Sequence, residues 1–262
     1  MMGGTHRLRG EAGTEAISTA IRTGYRLLDA AVNDENGGTL RAAVRRSGTP
    51  RQDLFLSSKL PGRHHDYDSA LDTIAESLFR TGVDYYDLYL IHWPNPRQDR
   101  YVDAWRALIE ARRRGLLRSI GVCNFLPEHL ERLRQETGML PALNQIELHP
   151  YFPQDTQLAY HRAHGIVTQA WSPLGRKTRL LDEALLKTIA ARHARSPAQI
   201  VLRWHVQHGS LPIPKSASAA RQRDNLRIFD FALSNEDMAG IARLARTDGR
   251  IAGQDPAQHE AF

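Results

Sequence analysis

Short apolar runs alternate with longer amphipathic segments along the whole chain. The short runs are rich in β-branched and aromatic residues and predict eight strands: MGGT, YRLLD, LFLSSK, YYDLYLIH, RSIGV, LNQIEL, IVTQAW and SLPIPK. The longer segments predict helices over residues 14–23, 38–47, 68–81, 101–114, 127–136, 154–164, 182–208 and 217–225, with a last helix in NEDMAGIARLA. Strand and helix therefore follow one another with little interruption.

Strict alternation of strand and helix predicts a parallel sheet with both faces covered. Eight such units in 262 residues are the size of a closed (β/α)8 TIM barrel, which places the chain in the α/β class. No Pro-, Gly- or Ser-rich linker divides the chain, so we expect one barrel domain over residues 1–262.

Composition and charge narrow the range of functions. Apolar runs such as DLYLIHW are too short to cross a bilayer, and MMGGTHRLRG has no apolar stretch typical of a secretory signal. A single cysteine excludes an intramolecular disulfide framework and favours a cytoplasmic location. The net charge of +6 is spread over helices such as RAAVRR and EARRRG without a nucleic-acid-binding motif. We expect no membrane or nucleic-acid partner. The net positive charge is what a protein that binds a phosphorylated cofactor would show.

Polar residues close most of the predicted strands. In a (β/α)8 barrel the chemistry is assembled at the C-terminal ends of the strands. The residues at these positions are Thr5-His6, Asp29, Lys59, His92, Cys123-Asn124, Gln145, Trp171-Ser172 and Lys215-Ser216. Any one of them is better explained as ordinary loop polarity, but their recurrence at strand after strand favours a functional site.

Two adjacent histidines, His64 and His65, follow Lys59 closely and raise the question of a metal site. Neighbouring histidines in a strand-exit loop rarely converge on one ion, and no nearby carboxylate or thiol pattern completes a ligand set. We therefore expect no metal. Cys123 has no evident activating base and is interpreted as a passive residue.

The strand-end motifs resemble those of the aldo-keto reductases, in particular the bacterial short-loop members. The similarity extends over nearly the whole chain, in GYRLLDAA, LFLSSKL, DYYDLYLIHWP, RSIGVCNF, NQIELHPY, QAWSPLGR and IPKS followed by RQRDN. The resemblance implies a monomeric enzyme that transfers hydride from NADPH to a small-molecule carbonyl. It also implies an N-terminal hairpin below the barrel, which we expect to be absent because the sequence begins at the first predicted strand.

The resemblance assigns catalytic roles to three strand-end residues. Lys59 is a fixed cation whose field favours a nearby anion, Asp29 pairs with it, and His92 hydrogen-bonds the substrate heteroatom. The positions that match the family's NADPH/NADP site are Gly4, Thr5, Asp29, Cys123, Asn124, Gln145, Trp171, Ser172, Leu174, Gly175, Lys215, Ser216, Arg221, Asp224 and Asn225.

Individual cofactor contacts follow from the same resemblance. Asn124 and Gln145 would hold the nicotinamide carboxamide, and Trp171 would stack on the nicotinamide ring. Lys215 and Arg221 would hold the 2′-phosphate of the adenosine. A phosphate is bound well by the point charge of a lysine ammonium and, bidentately, by an arginine guanidinium. The pair therefore favours NADPH over NADH.

One position departs from the family pattern. The family's catalytic tyrosine lies five residues after the strand-end aspartate, in a pattern like DTAxxYxNE, and that position here is Asp34, in DAAVNDENG. A positioned general acid is worth roughly 10²–10⁴ in rate. An aspartate has an ordinary pKa of about 3.9, which a nearby ammonium lowers and a second carboxylate raises. The sequence leaves that balance open.

Three interpretations of Asp34 are open. In the first, the substrate is an imine or iminium of secondary metabolism that brings its own positive charge. Hydride addition to an iminium carbon needs no proton, and an anionic Asp34 would stabilise the cation before transfer. In the second, His6 belongs to the substrate site with His92 and donates the proton. In the third, the barrel binds NADPH without catalysis, as a regulatory protein or as a reductase inactivated by a natural or engineered Tyr-to-Asp replacement. We expect an NADPH-dependent oxidoreductase acting on a C=N bond or a specialised carbonyl.

Overall fold

Eight parallel strands form one continuous sheet. The computed structural model describes residues 2–262, and of Met2 and Ala252 the backbone alone. The strands are β1 (Met2–Gly4), β2 (Leu27–Asp29), β3 (Phe55–Leu60), β4 (Tyr86–Ile91), β5 (Leu117–Cys123), β6 (Leu143–Glu147), β7 (Val167–Trp171) and β8 (Leu211–Pro212). Each pairs in parallel with the next, and the Gly4 amide donates to the Pro214 carbonyl at 3.3 Å, which brings the last strand against the first. The prediction of an α/β (β/α)8 barrel is confirmed.

Helices connect the strands and cover the outside of the sheet. They are α1 (Gly10–Thr23), α2 (Gly37–Ser47), α3 (Tyr67–Thr81), α4 (Tyr101–Arg113), α5 (Pro127–Thr137), α6 (Asp155–Ala163), α7 (Ala184–Arg192), α8 (Pro197–His208), α9 (Ala219–Leu226) and α10 (Asn235–Ala242). Every residue of β4 is buried, as expected for a strand covered on both faces. No helix within residues 2–262 combines the length and the apolar character needed to span a membrane.

The helical region predicted over residues 182–208 contains two helices. α7 ends at Arg192, and Ala194 adopts a left-handed backbone with φ of 50°. Ser196 then caps α8 by accepting a hydrogen bond from the Gln199 amide, and Pro197 occupies its first position. Proline lacks an amide hydrogen and clashes with the preceding helical turn, so a continuous helix through this point is excluded.

The loops that follow β1 and β2 lie together at the C-terminal end of the barrel. A 3-10 turn covers Val32–Asp34, and Glu35 ends it with a left-handed backbone at φ of 50°. Asn36, which is almost fully buried, donates from Nδ2 to the Thr5 carbonyl at 3.0 Å. This buried hydrogen bond therefore joins the loop after β2, which carries Asp34, to the end of β1.

Candidate active site

A cavity of about 670 Å³ opens at the C-terminal ends of the strands. We call it the mouth cavity. Its walls carry residues from the ends of all eight strands and from the C-terminal segment: Gly4, His6, Arg7, Asp29, Ala31, Asn33, Asp34, Lys59, His92, Trp93, Asn124, Gln145, Trp171, Ser172, Pro173, Leu174, Arg176, Ile213, Pro214, Lys215 and Gln254. A second cavity of about 850 Å³ lies between the loop after β7 and residues 246–251, and shares Arg176 with the first. The mouth cavity holds the predicted catalytic residues.

A buried ion pair lies at the base of the mouth cavity. Lys59 Nζ donates to Asp29 Oδ2 at 2.7 Å and to the Ala30 carbonyl at 2.8 Å, and both charged side chains are about 95% buried. Ser57 Oγ and Gln145 Nε2 donate to the other carboxylate oxygen at 2.8 and 3.2 Å. Burial acts to lower the pKa of Lys59, but the charge and hydrogen bond of Asp29, with Cys123 and Asp34, together outweigh it and the pKa is raised. Lys59 is therefore a fixed ammonium.

His92 is a neutral imidazole in this environment. Burial and the adjacent Lys59 charge lower the pKa of His92 to about 3. Its backbone carbonyl accepts a hydrogen bond from Asn124 Nδ2 at 3.1 Å. A neutral ring with one donor and one acceptor nitrogen can orient a polar substrate atom, but it does not carry a transferable extra proton near neutral pH.

Asp34 lies in the same cavity and contacts His6. Asp34 Oδ1 is 2.7 Å from His6 Nδ1, and the Asp34 carbonyl accepts from Arg9 Nε at 2.8 Å. Burial acts to raise the pKa of Asp34, but the His6 hydrogen bond and charge, with Lys59 and His92, outweigh it and the net pKa is lowered. Asp34 is therefore a carboxylate at neutral pH. No tyrosine is among the described residues that line the cavity.

Several predicted cofactor residues meet on the opposite wall. Trp171 Nε1 donates to Asn124 Oδ1 at 2.7 Å, so the indole and the amide form one surface. Asn124 and Ser172 adopt left-handed backbones, with φ of 62° and 49°. Such conformations cost about 1–3 kcal/mol for residues other than glycine and cluster at functional sites. Leu174 follows Ser172 in the cavity wall.

Two exposed cations follow the last strand. Lys215 lines the mouth cavity, and Arg221 lies in the first turn of α9, where its amide donates to the Ser218 capping hydroxyl at 3.4 Å. Neither side chain forms an ion pair with the described residues. Ser216 lies between them and accepts from the Ser218 amide at 3.1 Å. The pair is open to an anionic ligand.

Other predicted site residues are not brought to the cavity wall. Thr5 Oγ1 donates to the Asp29 carbonyl at 3.0 Å and so joins the ends of β1 and β2. Cys123 is fully buried, and burial raises the pKa of its thiol. Asn225 is buried in α9, whereas Asp224 beside it is exposed. Gly175 lies just beyond the cavity wall, at the left-handed turn after Leu174. Within residues 2–262 no group of three or more possible ligands is placed to hold a metal.

The mouth cavity is also lined by residues that were not predicted from the ends of the strands. Trp93 lines the cavity and packs edge-to-face on His259, with ring centroids 4.4 Å apart. Gln254 also lines it, and Asn33 Nδ2 donates to the Phe262 carbonyl at 3.4 Å. The C-terminal segment therefore lies across the mouth of the barrel. Arg7 also lines the cavity. It directly follows the candidate His6, so its place next to the end of β1 was a signal available in the sequence.

The fold and this site define a (β/α)8 enzyme whose polar groups converge at the barrel mouth. The aldo/keto reductase family model matches residues 2–246. The chain belongs to the aldo/keto reductase family.

Similar proteins are consistent with this assignment. The 2,5-diketo-D-gluconic acid reductase B of Corynebacterium sp. (strain SHS752001) is 52% identical, over 98% of this chain and 92% of the relative. The methylglyoxal reductase DkgA of Yersinia pestis is 43% identical, over 92% of this chain and 86% of the relative.

Two solved structures are similar over nearly the whole chain. A mutant of Gox0644 in complex with NADPH has a TM-score of 0.94 and 39% identity, covering 99% of this chain and 93% of that one. The Bombyx mori aldo-keto reductase in complex with NADP has a TM-score of 0.90 and 30% identity, with the same coverage. The predictions of an NADPH-dependent oxidoreductase and of NADPH or NADP as its cofactor are confirmed at the level of the family.

Proposed function

We propose that this enzyme reduces the carbonyl group of small, polar 2-oxo compounds with NADPH. The observation that carries the proposal is the buried Asp29–Lys59 pair beside the neutral His92, all three on the wall of one cavity. A fixed cation and a hydrogen-bonding imidazole stabilise the negative charge that develops on a carbonyl oxygen as hydride adds to its carbon. Two relatives have names that specify dicarbonyl compounds, which supports this substrate class.

The chain's own residues fit the cofactor. The mouth cavity offers the Trp171 ring face beside the Asn124 amide, and the unpaired Lys215 and Arg221 lie where the chain leaves the last strand. NADPH, when bound, supplies the hydride. We assign the nicotinamide to the Trp171 and Asn124 side and the 2′-phosphate to Lys215 and Arg221. Ser172 and Leu174, between these two regions, would then line the pyrophosphate.

Two further cations of the mouth cavity favour a particular class of substrate. Arg7 and Arg176 line the mouth cavity and form no ion pair with the described residues. A substrate with a carboxylate or a second carbonyl would find hydrogen-bond donors there, in addition to those at its reacting oxygen. We therefore propose 2-oxoaldehydes and oxo acids as the substrates to test first.

Cofactor selectivity provides the first test. Lys215→Ala and Arg221→Ala should each weaken NADPH binding by about 10- to 100-fold, because each removes a charge-assisted hydrogen bond, and should leave NADH binding nearly unchanged. Quenching of tryptophan fluorescence during titration measures both affinities. Arg223→Ala, an exposed arginine on the same helix, is the matched control and should behave as wild type. Equal affinities of the wild type for NADPH and NADH would refute the phosphate assignment.

An imine or iminium substrate of secondary metabolism is the second candidate function. The observation that favours it is the lowered pKa of Asp34, which leaves a carboxylate in the cavity where a cationic carbon could be stabilised. The 2.7 Å contact with His6 weighs against it, because the carboxylate already has a hydrogen-bond donor within the protein. Carbonyl reduction therefore remains the better supported of the two.

A panel of substrates separates the two candidates from simple NADPH binding. Single-turnover mixing of the NADPH complex with methylglyoxal, an oxo acid and a cyclic iminium should consume NADPH fastest with the 2-oxo compounds. Faster reaction with the iminium than with every carbonyl would favour the second candidate. Absence of NADPH oxidation with the whole panel, despite tight binding, would mean that the chain binds the cofactor without catalysis.

A further inference from the structure

The contact between His6 and Asp34 joins two strand-end loops inside the mouth cavity. His6 follows β1 and Asp34 ends the turn after β2, and both line the cavity that also contains Lys59 and His92. The Asp34 side chain is 12% exposed and that of His6 is 52% exposed. Because an ionised carboxylate can only accept hydrogen bonds, Nδ1 of His6 carries the proton in this contact.

Carbonyl reduction needs a proton donor, and the other candidates in the cavity are unsuitable. Lys59 has a raised pKa and is engaged by Asp29 and the Ala30 carbonyl. The lowered pKa values of His92 and Asp34 leave the first neutral and the second ionised. Arg7, Arg176 and Lys215 carry guanidinium and ammonium groups, which are hydrogen-bond donors and fixed charges and not typical proton donors. Asp29 is held in its ion pair with Lys59, so His6 is the remaining titratable group on the described cavity wall.

We propose that His6 is the catalytic residue that protonates the carbonyl oxygen and that Asp34 is a positioning residue that holds its ring. This inference rests on the proposed function of carbonyl reduction. The substrate carbon gains a hydride from NADPH, which becomes NADP⁺. The electron pair of the C=O π bond moves to the oxygen, and that oxygen takes the Nε2 proton of the imidazolium.

Two features of the pair suit repeated proton transfer. His6 Nε2 makes no hydrogen bond to the described residues, so it is available to a substrate. The half-exposed ring can recover its proton from solvent after each turnover. An anionic partner at Nδ1 holds the ring in one orientation, as expected of a positioned acid.

Charged groups of both signs lie around His6. Asp34 contacts its ring, Lys59 and Arg7 line the same cavity, and Arg9 donates to the Asp34 carbonyl. Histidine side chains in general lose their proton between about pH 5 and 8. Turnover should therefore fall as the pH rises above neutrality.

The experiment compares His6→Gln and Asp34→Asn with a matched pair elsewhere. His208 Nε2 lies 3.2 Å from Asp155 Oδ1, on α8 and away from the mouth cavity, so His208→Gln is the control. With methylglyoxal, His6→Gln should lower kcat by about 10²- to 10⁴-fold. Asp34→Asn should lower it by about 10- to 100-fold, the loss of one charge-assisted hydrogen bond. Both variants should bind NADPH as wild type does, and the control should keep wild-type kcat.

Two further readouts distinguish proton donation from a structural role. Free imidazole added to His6→Ala should restore part of the lost kcat, and the alkaline fall in wild-type kcat should be absent from His6→Gln. Wild-type kcat in His6→Gln, or a loss that imidazole does not rescue and that leaves the pH profile unchanged, would overturn the inference. A wild type that reduces no carbonyl would instead overturn the proposed function on which the inference rests.

Discussion

Lys59→Met should lower the rate of carbonyl reduction by about 10²–10³-fold while leaving the cavity able to bind NADPH. The ammonium lies 2.7 Å from Asp29 Oδ2 and contributes to the field on Asp34 and His92. Removal of one preorganised group that stabilises charge at the reacting atom typically costs about 10²–10³ in kcat. Methionine has nearly the same length and no charge, so the substitution tests the cation and not the volume. Single-turnover NADPH oxidation measures the rate.

The same substitution should destabilise the fold. It leaves the Asp29 carboxylate buried without its cation, which typically costs about 3–5 kcal/mol. The double variant Asp29→Asn/Lys59→Met removes the unpaired charge, so urea unfolding should show much of the stability regained while turnover stays low. A Lys59→Met protein that keeps more than a tenth of wild-type turnover would exclude the proposed role of Lys59.

Asp34→Tyr in a His6→Gln background should raise aldehyde reduction by about 10²–10⁴-fold over His6→Gln alone. The His6→Gln protein lacks the proposed acid, and the new phenol would stand beside the Lys59 ammonium, which lowers the pKa of a neighbouring phenol. One positioned general acid is worth roughly that factor. The measurement is kcat with a nitrobenzaldehyde and saturating NADPH.

The experiment tests whether a side chain at position 34 reaches the reacting carbonyl, so a tyrosine at a neighbouring position is the control. Asn33→Tyr places the same phenol one residue earlier in the same turn and should give no comparable gain. If Asp34→Tyr still binds NADPH and yet gives no gain, position 34 is not functionally equivalent to the family's tyrosine. The loop, in which Ala30 and Gly37 also depart from the family pattern, would then direct this side chain elsewhere.

Sequence patterns were sufficient for the parts of the site that follow directly from strand periodicity. Asp29, Lys59 and His92 each end or directly follow an apolar run, and parallel strands in a barrel bring such positions to one end. The fold followed from the same alternation. Ser196 and Pro197, a pair typical of a helix start, mark in the sequence the point at which α8 begins.

The remaining features depend on tertiary contacts. The direction of the pKa shift of Asp34 could not be obtained from the sequence. Burial raises this pKa, whereas His6, Lys59 and His92 lower it by an amount that depends on how closely they approach the carboxylate. Gln254 lies more than two hundred residues from Asp34 in the sequence and reaches the same cavity through the docked C-terminal segment. No local pattern encodes such a contact.

Isotope tracing tests the central claim, hydride transfer from NADPH to a carbonyl carbon at this cavity, most directly. NADPH deuterated at both C4 positions would be mixed with the enzyme and methylglyoxal, and the product examined by NMR and mass spectrometry. We expect one deuterium on the carbinol carbon for each NADP⁺ formed, with none in a parallel reaction of Lys59→Met stopped at the same time. Product without deuterium at that carbon, or tight NADPH binding with no labelled product from any 2-oxo compound, would contradict hydride transfer at the mouth cavity.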